Sequence, residues 1–511
     1  MLTLNTRSDV SIDRGMTMGI KLENNINFVV KEIGNGSPII IKRFFIGKDE
    51  PIEAVTMYIN GLVSKDTIDR DILNPLMLHV NENLVIDQNT VDYVSKRYIP
   101  MSNTTIEENI NNVVEAIKSG KTALFIGDLE KFIILDTTGG EHRTISDPLN
   151  ESAVRGSREG FVENLETNIS ILRRKIKDKN LTIENFKVGR RSQTSLVIAY
   201  IDDIVDKNVL IEVRKRIISI DVDFVTDTGM IDQYIEDSAY SIFPQIYVTE
   251  RPDIVKADIM EGRVAIILDG TPFALTAPAV FVQFFQGVED YNDRTIVASF
   301  SRILRLIAIF IVITLPSLYL TLINYNIELI PVKFINPIIE SRNGIALTPF
   351  LEILSMEVFV DFLREGGLRL PPKIASTLSI VGGIIIGNMA VQSKIVSPTT
   401  LLIVGISVVS TFLIPNYEMS LSIRFIRFPM LVLADILGFL GIAAGWLFII
   451  IHLSSLESFG VPYFSIKSSD LKDIFIRAPL WKMNKRPKSI PNNNSVRQSD
   501  FRKNMRSNKN E

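Results

Sequence analysis

Between Leu306 and Leu453 the chain carries four apolar runs: Leu306–Ile323, Ile374–Lys394, Thr399–Pro415 and Phe428–Leu453. A chain in lipid must satisfy every backbone polar group internally, so runs of this kind are read as membrane helices. All but the third reach the roughly 18–20 residues that cross the hydrocarbon layer. The fourth, "FPMLVLADILGFLGIAAGWLFIIIHL", reads as one continuous helix with Asp435 inside it. A carboxylate near the middle of such a helix costs about 2.5–3.5 kcal/mol on insertion scales. Ala434, Gly438, Gly441 and Gly445 form a stripe of small residues, and Asp435 borders it. Asp435 is therefore expected to face protein or a water-filled cavity, with Lys373, Ser376 and Ser379 on the second run as partners.

Charge divides the chain at the same places. Residues 1–300 hold 33 Lys+Arg against 45 Asp+Glu, net −12. Residues 301–466 hold 10 against 9, net +1, and residues 467–511 hold 12 against 4, net +8. The pattern reads as an acidic soluble part, a nearly uncharged membrane part and a basic tail. Four spans put both ends on one side. Arg302, Arg305 and the basic tail mark that side as cytoplasmic. The opening "MLTLNTRSDVSIDRG" has no apolar core, so no signal peptide is expected and the first 300 residues are expected in the cytoplasm.

The soluble part contains an internal repeat. "VTMYINGLVSKDTIDRDIL" from Val55 and "VIAYIDDIVDKNVLIEVRK" from Val197 both read as a buried strand, a short polar turn and an amphipathic helix. Tyr58 falls on Tyr200, Lys65 on Lys207 and Gly120 on Gly262, each 142 positions apart. "LENNI" at Leu22 and "LETNI" at Leu165 are 143 apart. Blocks in one order at one spacing point to two tandem α/β modules. Each ends in a strand pair, the second with an Asp-Gly turn in "VAIILDGTPFALTAP". The polar, Gly-rich stretch between them is a linker or an ordered connecting loop. The expected fold is thus an α/β soluble region of two related modules, 1–150 and 151–290, followed by an all-α transmembrane domain over 291–466 with about four spans. Residues 467–511 form a basic cytoplasmic tail, partly disordered.

No catalytic constellation is present. "SGKT" at Ser119 lacks the earlier glycine of a phosphate loop, since position 115 is Glu115, and it closes a helix instead of opening one. His79, His142 and His452 have no ligand spacing, and the chain has no cysteine, which removes thiolate chemistry and disulfides. "RRKIKDK" at Arg173 is a solvated helix face or a docking contact within an acidic region. Neither a cofactor nor a bound metal is expected.

Two segments carry polar groups among the apolar runs. Ala346–Pro371 is helical in pattern and sets Glu352, Glu357 and Asp361 among large apolar residues. It lies in the interface, or it dips into the membrane as part of a pore, or its acids simply contact water. In the second run, Ser376, Ser379, Gly383 and Gly387 follow helical spacing along one face, which packs against helices or borders water.

"PFLEILSMEVFVDFLREGGLRLP", "SIVGGIIIGNMAVQSKIVSP", "SFGVPYFS", "GFVENLETNISILRRKIK", "TERPD" and "MEGRVAIILDGTPFAL" closely resemble the A subunit of spore germinant receptors, the GerA family. The resemblance runs from about residue 25 to 480. It implies the inner membrane of an endospore. It also implies a transporter-like B subunit and a lipoprotein C subunit as partners, and assembly of A subunits into a ligand-gated ion channel. Glu352, Glu357, Arg364, Glu365 and Pro371 match the family pattern. Glu352, Glu357, Arg364 and Glu365, with Asp361, Ser379, Gly383, Gly387 and Asp435, make up the candidate channel or gating residues. Asp435 matches no carboxylate of that pattern, so its role is not inherited. A secondary transporter and a paralogous sporulation channel protein of SpoVA-F type stand as alternatives. No nucleic-acid partner is implied.

Overall fold

The computed structural model describes residues 20–34, 38–87, 89–139, 148, 151, 153, 155–371, 383, 387–467, 470–474, 476–499 and 501–502. The chain forms two compact units. The first comprises residues 1–145 and 162–184, the second residues 146–161 and 185–511.

The first unit is built on an antiparallel sheet of β1 (Ile39–Ile46), β2 (Ile52–Ile59), β3 (Thr104–Glu107), β4 (Thr122–Ile126) and β5 (Phe132–Leu135), in the order β1-β2-β4-β5-β3. Side chains alternate between the faces of a strand, and both faces here are covered. Val55, Met57, Ala123, Phe125 and Ile134 pack under the helices Ile20–Ile33 and Ile110–Lys118. Ala54, Tyr58, Leu124, Ile126 and Ile133 pack under Ile68, Ile72, Leu76, Val91 and Val94. The helix Leu165–Lys175, capped by Asn164, belongs to this unit, although the sequence places it beyond residue 150.

The second sheet repeats the order: β6 (Leu181–Val188), β7 (Thr194–Ile201), β8 (Tyr247–Thr249), β9 (Val264–Leu268) and β10 (Ala274–Ala277) run β6-β7-β9-β10-β8. The first residues of β6, β7, β9 and β10 each lie 142 positions after those of β1, β2, β4 and β5 (181 against 39, 194 against 52, 264 against 122, 274 against 132). Helix Lys207–Ser219, capped by Asp206, covers this sheet with Val209, Leu210, Val213 and Ile217.

A helical region follows. Thr295–Asn324 is 30 residues long and, among the described residues, is the one helix long and apolar enough to cross a membrane. Pro398–Thr411 and Phe439–Ser455 are shorter apolar helices. The long helix starts against the second sheet's unit, where Arg302 meets Asp290 at 2.9 Å. At its far end the Tyr325 hydroxyl donates to the Asp435 carbonyl.

The single helix expected over Phe428–Leu453 is not formed. Helix Tyr417–Leu437 stops at Gly438, which has φ +60° and ψ −134°, and helix Phe439–Ser455 begins immediately after it. That backbone region is open to glycine because it has no Cβ. The two helices fold back on one another. A Cβ on Gly441 would overlap the Leu433 carbonyl, and one on Gly445 would lie 2.6 Å from Met430 Sδ. The small-residue stripe is therefore the seam of a helical hairpin. The outgoing arm is tied to the second sheet's unit by Ser422 Oγ donating to the Ile242 carbonyl at 2.5 Å. The returning arm is tied there by His452 Nε2, 3.3 Å from Ser241 Oγ.

Beyond the helices the chain returns to the second module. Phe459 and Val461 enter its core. Part of the expected tail is folded: Asn493 N donates to the Ile204 carbonyl at 2.9 Å and Arg486 Nε to the Met260 carbonyl at 2.6 Å.

Candidate functional site

Helix Pro349–Leu368 carries the acidic residues singled out in the sequence. Its start is set by Thr348, whose hydroxyl accepts from Leu351 N at 3.4 Å, and by Pro349 in the first turn. Glu357 and Asp361, four apart, share one side of it, whereas Glu352, five residues before Glu357, points elsewhere and meets other partners.

Glu352 is fully buried. Its Oε1 lies 2.9 Å from Arg342 Nη2. Its Oε2 accepts from Ser397 N at 3.2 Å and from Thr400 Oγ1 at 2.9 Å. Ser397 is the cap of helix Pro398–Thr411, so the carboxylate sits at that helix's N-terminus, where the backbone N–H groups and the helix dipole favour negative charge. Thr400 Oγ1 also reaches the Tyr319 hydroxyl at 3.4 Å, which brings the long helix into the same cluster.

Glu357 and Asp361 form the second cluster. Glu357 Oε2 lies 2.8 Å from Arg427 Nε, with side-chain exposures of 0% and 1%. Asp361 Oδ2 lies 3.3 Å from Arg427 Nη2, and its Oδ1 lies 3.4 Å from Arg424 Nη1. Two acids four apart on one helix thus meet two bases three apart on helix Tyr417–Leu437. Buried ions of this kind persist only when paired. One turn further on, the Arg364 guanidinium lies 5.4 Å from the Tyr417 ring centroid. Glu365 pairs with Arg369 at 2.9 Å on the exposed side.

Among the described residues, Gly383, Gly387 and Asp435 do not join these clusters. Ser379, with Lys373 and Ser376, lies outside the described residues. A Cβ on Gly383 would meet nothing within 4 Å, and one on Gly387 would meet only Leu401 Cδ2 at 3.8 Å. Asp435 is half-buried near the end of the outgoing arm, and its Oδ1 accepts from Asn324 Nδ2 at 3.4 Å. Its described partners are Asn324 and Tyr325, and the turn at Gly438 puts Asp435 at a hairpin apex and not in mid-helix; the partners expected on the second apolar run lie outside the described residues.

The basic partners escaped the sequence reading. Arg424 and Arg427 sit in "SIRFIRFP", three apart beside an apolar run. Starting that run at Phe428 left both outside it. Two arginines on one turn of an apolar helix are a sufficient signal to look for two acids. Arg302 and Arg305, read only as markers of sidedness, also have a structural role: both hold Asp290, Arg305 at 2.7 Å, and Arg302 also holds Asp473 at 2.9 Å.

A family model described as Bacillus/Clostridium GerA spore germination protein matches residues 27–489. Spore germination protein KA of Bacillus subtilis (strain 168) is 38% identical over 490 residues, 95% of this chain and 90% of that protein. The uncharacterized membrane protein YfkQ of the same organism is 37% identical over 479 residues, 93% of this chain and 92% of that protein. The crystal structure of the N-terminal domain of the A subunit of the Bacillus megaterium spore germinant receptor GerK3 matches at 33% identity. It covers 53% of this chain and 100% of that one, with a TM-score of 0.40. On a match that runs through both sheets and the helical region, the chain belongs to the GerA family of spore germination proteins.

Proposed function

We infer that this chain is an A subunit of a spore germinant receptor, acting in nutrient-triggered spore germination as a signalling subunit and not as an enzyme. The family match over residues 27–489 carries this reading. Deleting the chain in its host tests it. One or more nutrients should then fail to trigger loss of spore refractility, with recovery on complementation. Unchanged responses to every nutrient that triggers the parent spores would overturn it.

The membrane part of the reading takes residues 291–466 as an all-α transmembrane domain, after modules at 1–150 and 151–290 and before the tail at 467–511. The long apolar helix Thr295–Asn324 supports it. Glu352 lies by Ser397 and Thr400 near the far end, and Arg364 lies by Tyr417 near the second module, so helix Pro349–Leu368 runs back toward that module. Helix Pro398–Thr411 starts at the far end and also runs back, and the hairpin goes out and returns. These five described helices, together with the apolar run that the sequence sets at Ile374–Lys394, give six crossings in this reading in place of four. An even number keeps both termini on the cytoplasmic side of the spore inner membrane. The chain has no cysteine, so single cysteines report sidedness cleanly. An impermeant maleimide applied from outside should label Leu440→Cys and spare Glu457→Cys. The reverse pattern would invert the topology.

The B and C subunits of the receptor are the proposed partners. Self-association into an ion-conducting oligomer completes the reading. Glu352 and Glu357 are buried against Arg342 and Arg427. Asp361, Arg364 and Glu365, nearer the surface of the same helix, are therefore the groups available to a path between subunits.

A further inference from the structure

The repeat places four positions of the second module on four of the first: Asp202 on Asn60, Asp203 on Gly61, Asp206 on Ser64 and Glu261 on Ser119, each 142 apart. All four are acids in the second module and none is charged in the first. These positions flank one groove, between the turn after the second strand and the end of the helix before the fourth.

In the first module the chain itself crosses this groove. Val63 bridges Thr138, Ser64 N donates to the Thr137 carbonyl at 2.9 Å, and Gly139 N donates to the Leu62 carbonyl at 3.3 Å. In the second module the corresponding residues 279–281 turn away, with Phe281 N donating to the Tyr463 carbonyl at 2.9 Å. The vacated line is taken by a segment more than two hundred residues further on. Val205 bridges Asn492, Asn493 N donates to the Ile204 carbonyl at 2.9 Å, and Asn493 Nδ2 donates to the Val205 carbonyl at 2.6 Å. Gly262, with φ +105°, lets the segment approach closely: a Cβ there would lie 3.1 Å from Asn492 Cβ and 3.3 Å from the Pro491 carbonyl oxygen.

The segment is itself folded into a clasp. Lys485 bridges Val496, Arg486 N donates to the Ser495 carbonyl at 3.0 Å, and Arg497 N donates to the Asn484 carbonyl at 2.9 Å. Arg486 spans clasp and module, donating to the Met260 carbonyl at 2.6 Å and to the Asn494 carbonyl at 2.8 Å. Arg497 lies 3.7 Å from Glu261. A basic segment thus lies where the second module, and not the first, carries acids.

We propose that the groove bounded by Ile204–Val205 and Met260–Gly262 is a docking site for a basic extended peptide, and that residues 484–498 are its ligand, held in cis and exchangeable for the same segment supplied in trans. Backbone bridging gives the groove affinity and the acidic rim gives it choice of partner, as in strand-addition recognition.

The test uses the detergent-purified chain ended after Lys482 and a labelled synthetic peptide of residues 484–499. The peptide should bind the shortened chain, bind the full chain at least about tenfold more weakly because the groove is filled, and lose affinity as salt rises. Arg486→Glu in the peptide should weaken binding by a similar factor. No binding to a shortened chain that still melts cooperatively overturns the proposal, and so does equal binding to both chains. Should the shortened chain not fold, a protease site inserted at 468–469 allows the tail to be cut after folding. Retention of the cut tail at low salt, with displacement by excess peptide, upholds the docking site. Its release at low salt overturns it.

Discussion

Arg427 and Glu357 stand 2.8 Å apart with neither exposed to solvent, and with Asp361 and Arg424 they join two helices distant in sequence. Among the described residues Arg427 serves both Glu357 and Asp361, whereas Glu357 pairs with Arg427 alone. Breaking a buried pair by removing one partner costs about 3–5 kcal/mol, while replacing both by apolar groups is often neutral. Arg427→Met should therefore reduce accumulation and melting temperature more than Glu357→Leu does. The double variant should recover much of the Arg427→Met loss. Additive losses in a double-mutant cycle would show that the two side chains are not coupled.

Gly441→Val should be among the most damaging changes in the helical region. Its Cβ would overlap the Leu433 carbonyl, a backbone atom that cannot rotate away. Overpacking of this kind costs about 1–3 kcal/mol or more, and here it opens the hairpin. Gly383→Val, where a Cβ would meet nothing within 4 Å, is the control. Protein level in membranes and the melting temperature of purified protein are the readouts, and equal behaviour of the two variants would refute the seam.

Asp435→Asn should accumulate normally, because Asn324 Nδ2 can still donate to the side-chain oxygen. Tyr325→Phe should be worse, since it removes the hydroxyl that holds the Asp435 carbonyl at the apex. A lost hydrogen bond of this type costs about 1–3 kcal/mol when its acceptor is left unpaired. Melting of the two purified variants decides the order.

Stability should fall with rising pH through the titration of Asp232. Burial, then Glu418, then Glu236, pushes its carboxyl up to about 8. In the unfolded chain the value is about 3.9. Between these values the folded state holds a proton that the unfolded state has released. The contribution is therefore full below the unfolded value and is lost as pH rises through the folded one. Glu151, pushed up by burial to about 7, adds a slope of the same sign. Asp232→Asn should flatten the melting temperature measured between about pH 5 and 8, and an unchanged slope would count against this account.

Much of the α/β part was legible without a structure. Strand alternation and the 142-residue spacing follow from the order of side chains along the chain, and they located strands such as Val264–Leu268 and the two matching modules that those strands build. The apolar runs marked where the helical region lies, and long local motifs identified the family. These features depend only on near neighbours in sequence, so one chain suffices to read them. The tertiary structure decided what depends on distant partners. A glycine in an apolar run reads equally as a packing stripe or as a turn, and only the contact of Gly441 with Leu433 distinguishes them. Glu357 and Arg427 are each costly alone, and their pairing exists only once two separate helices are side by side. The basic tail read as partly disordered because its composition says nothing of a groove left vacant by residues 279–281. The balance of desolvation against pairing is set by packing, and packing is not a local property of sequence.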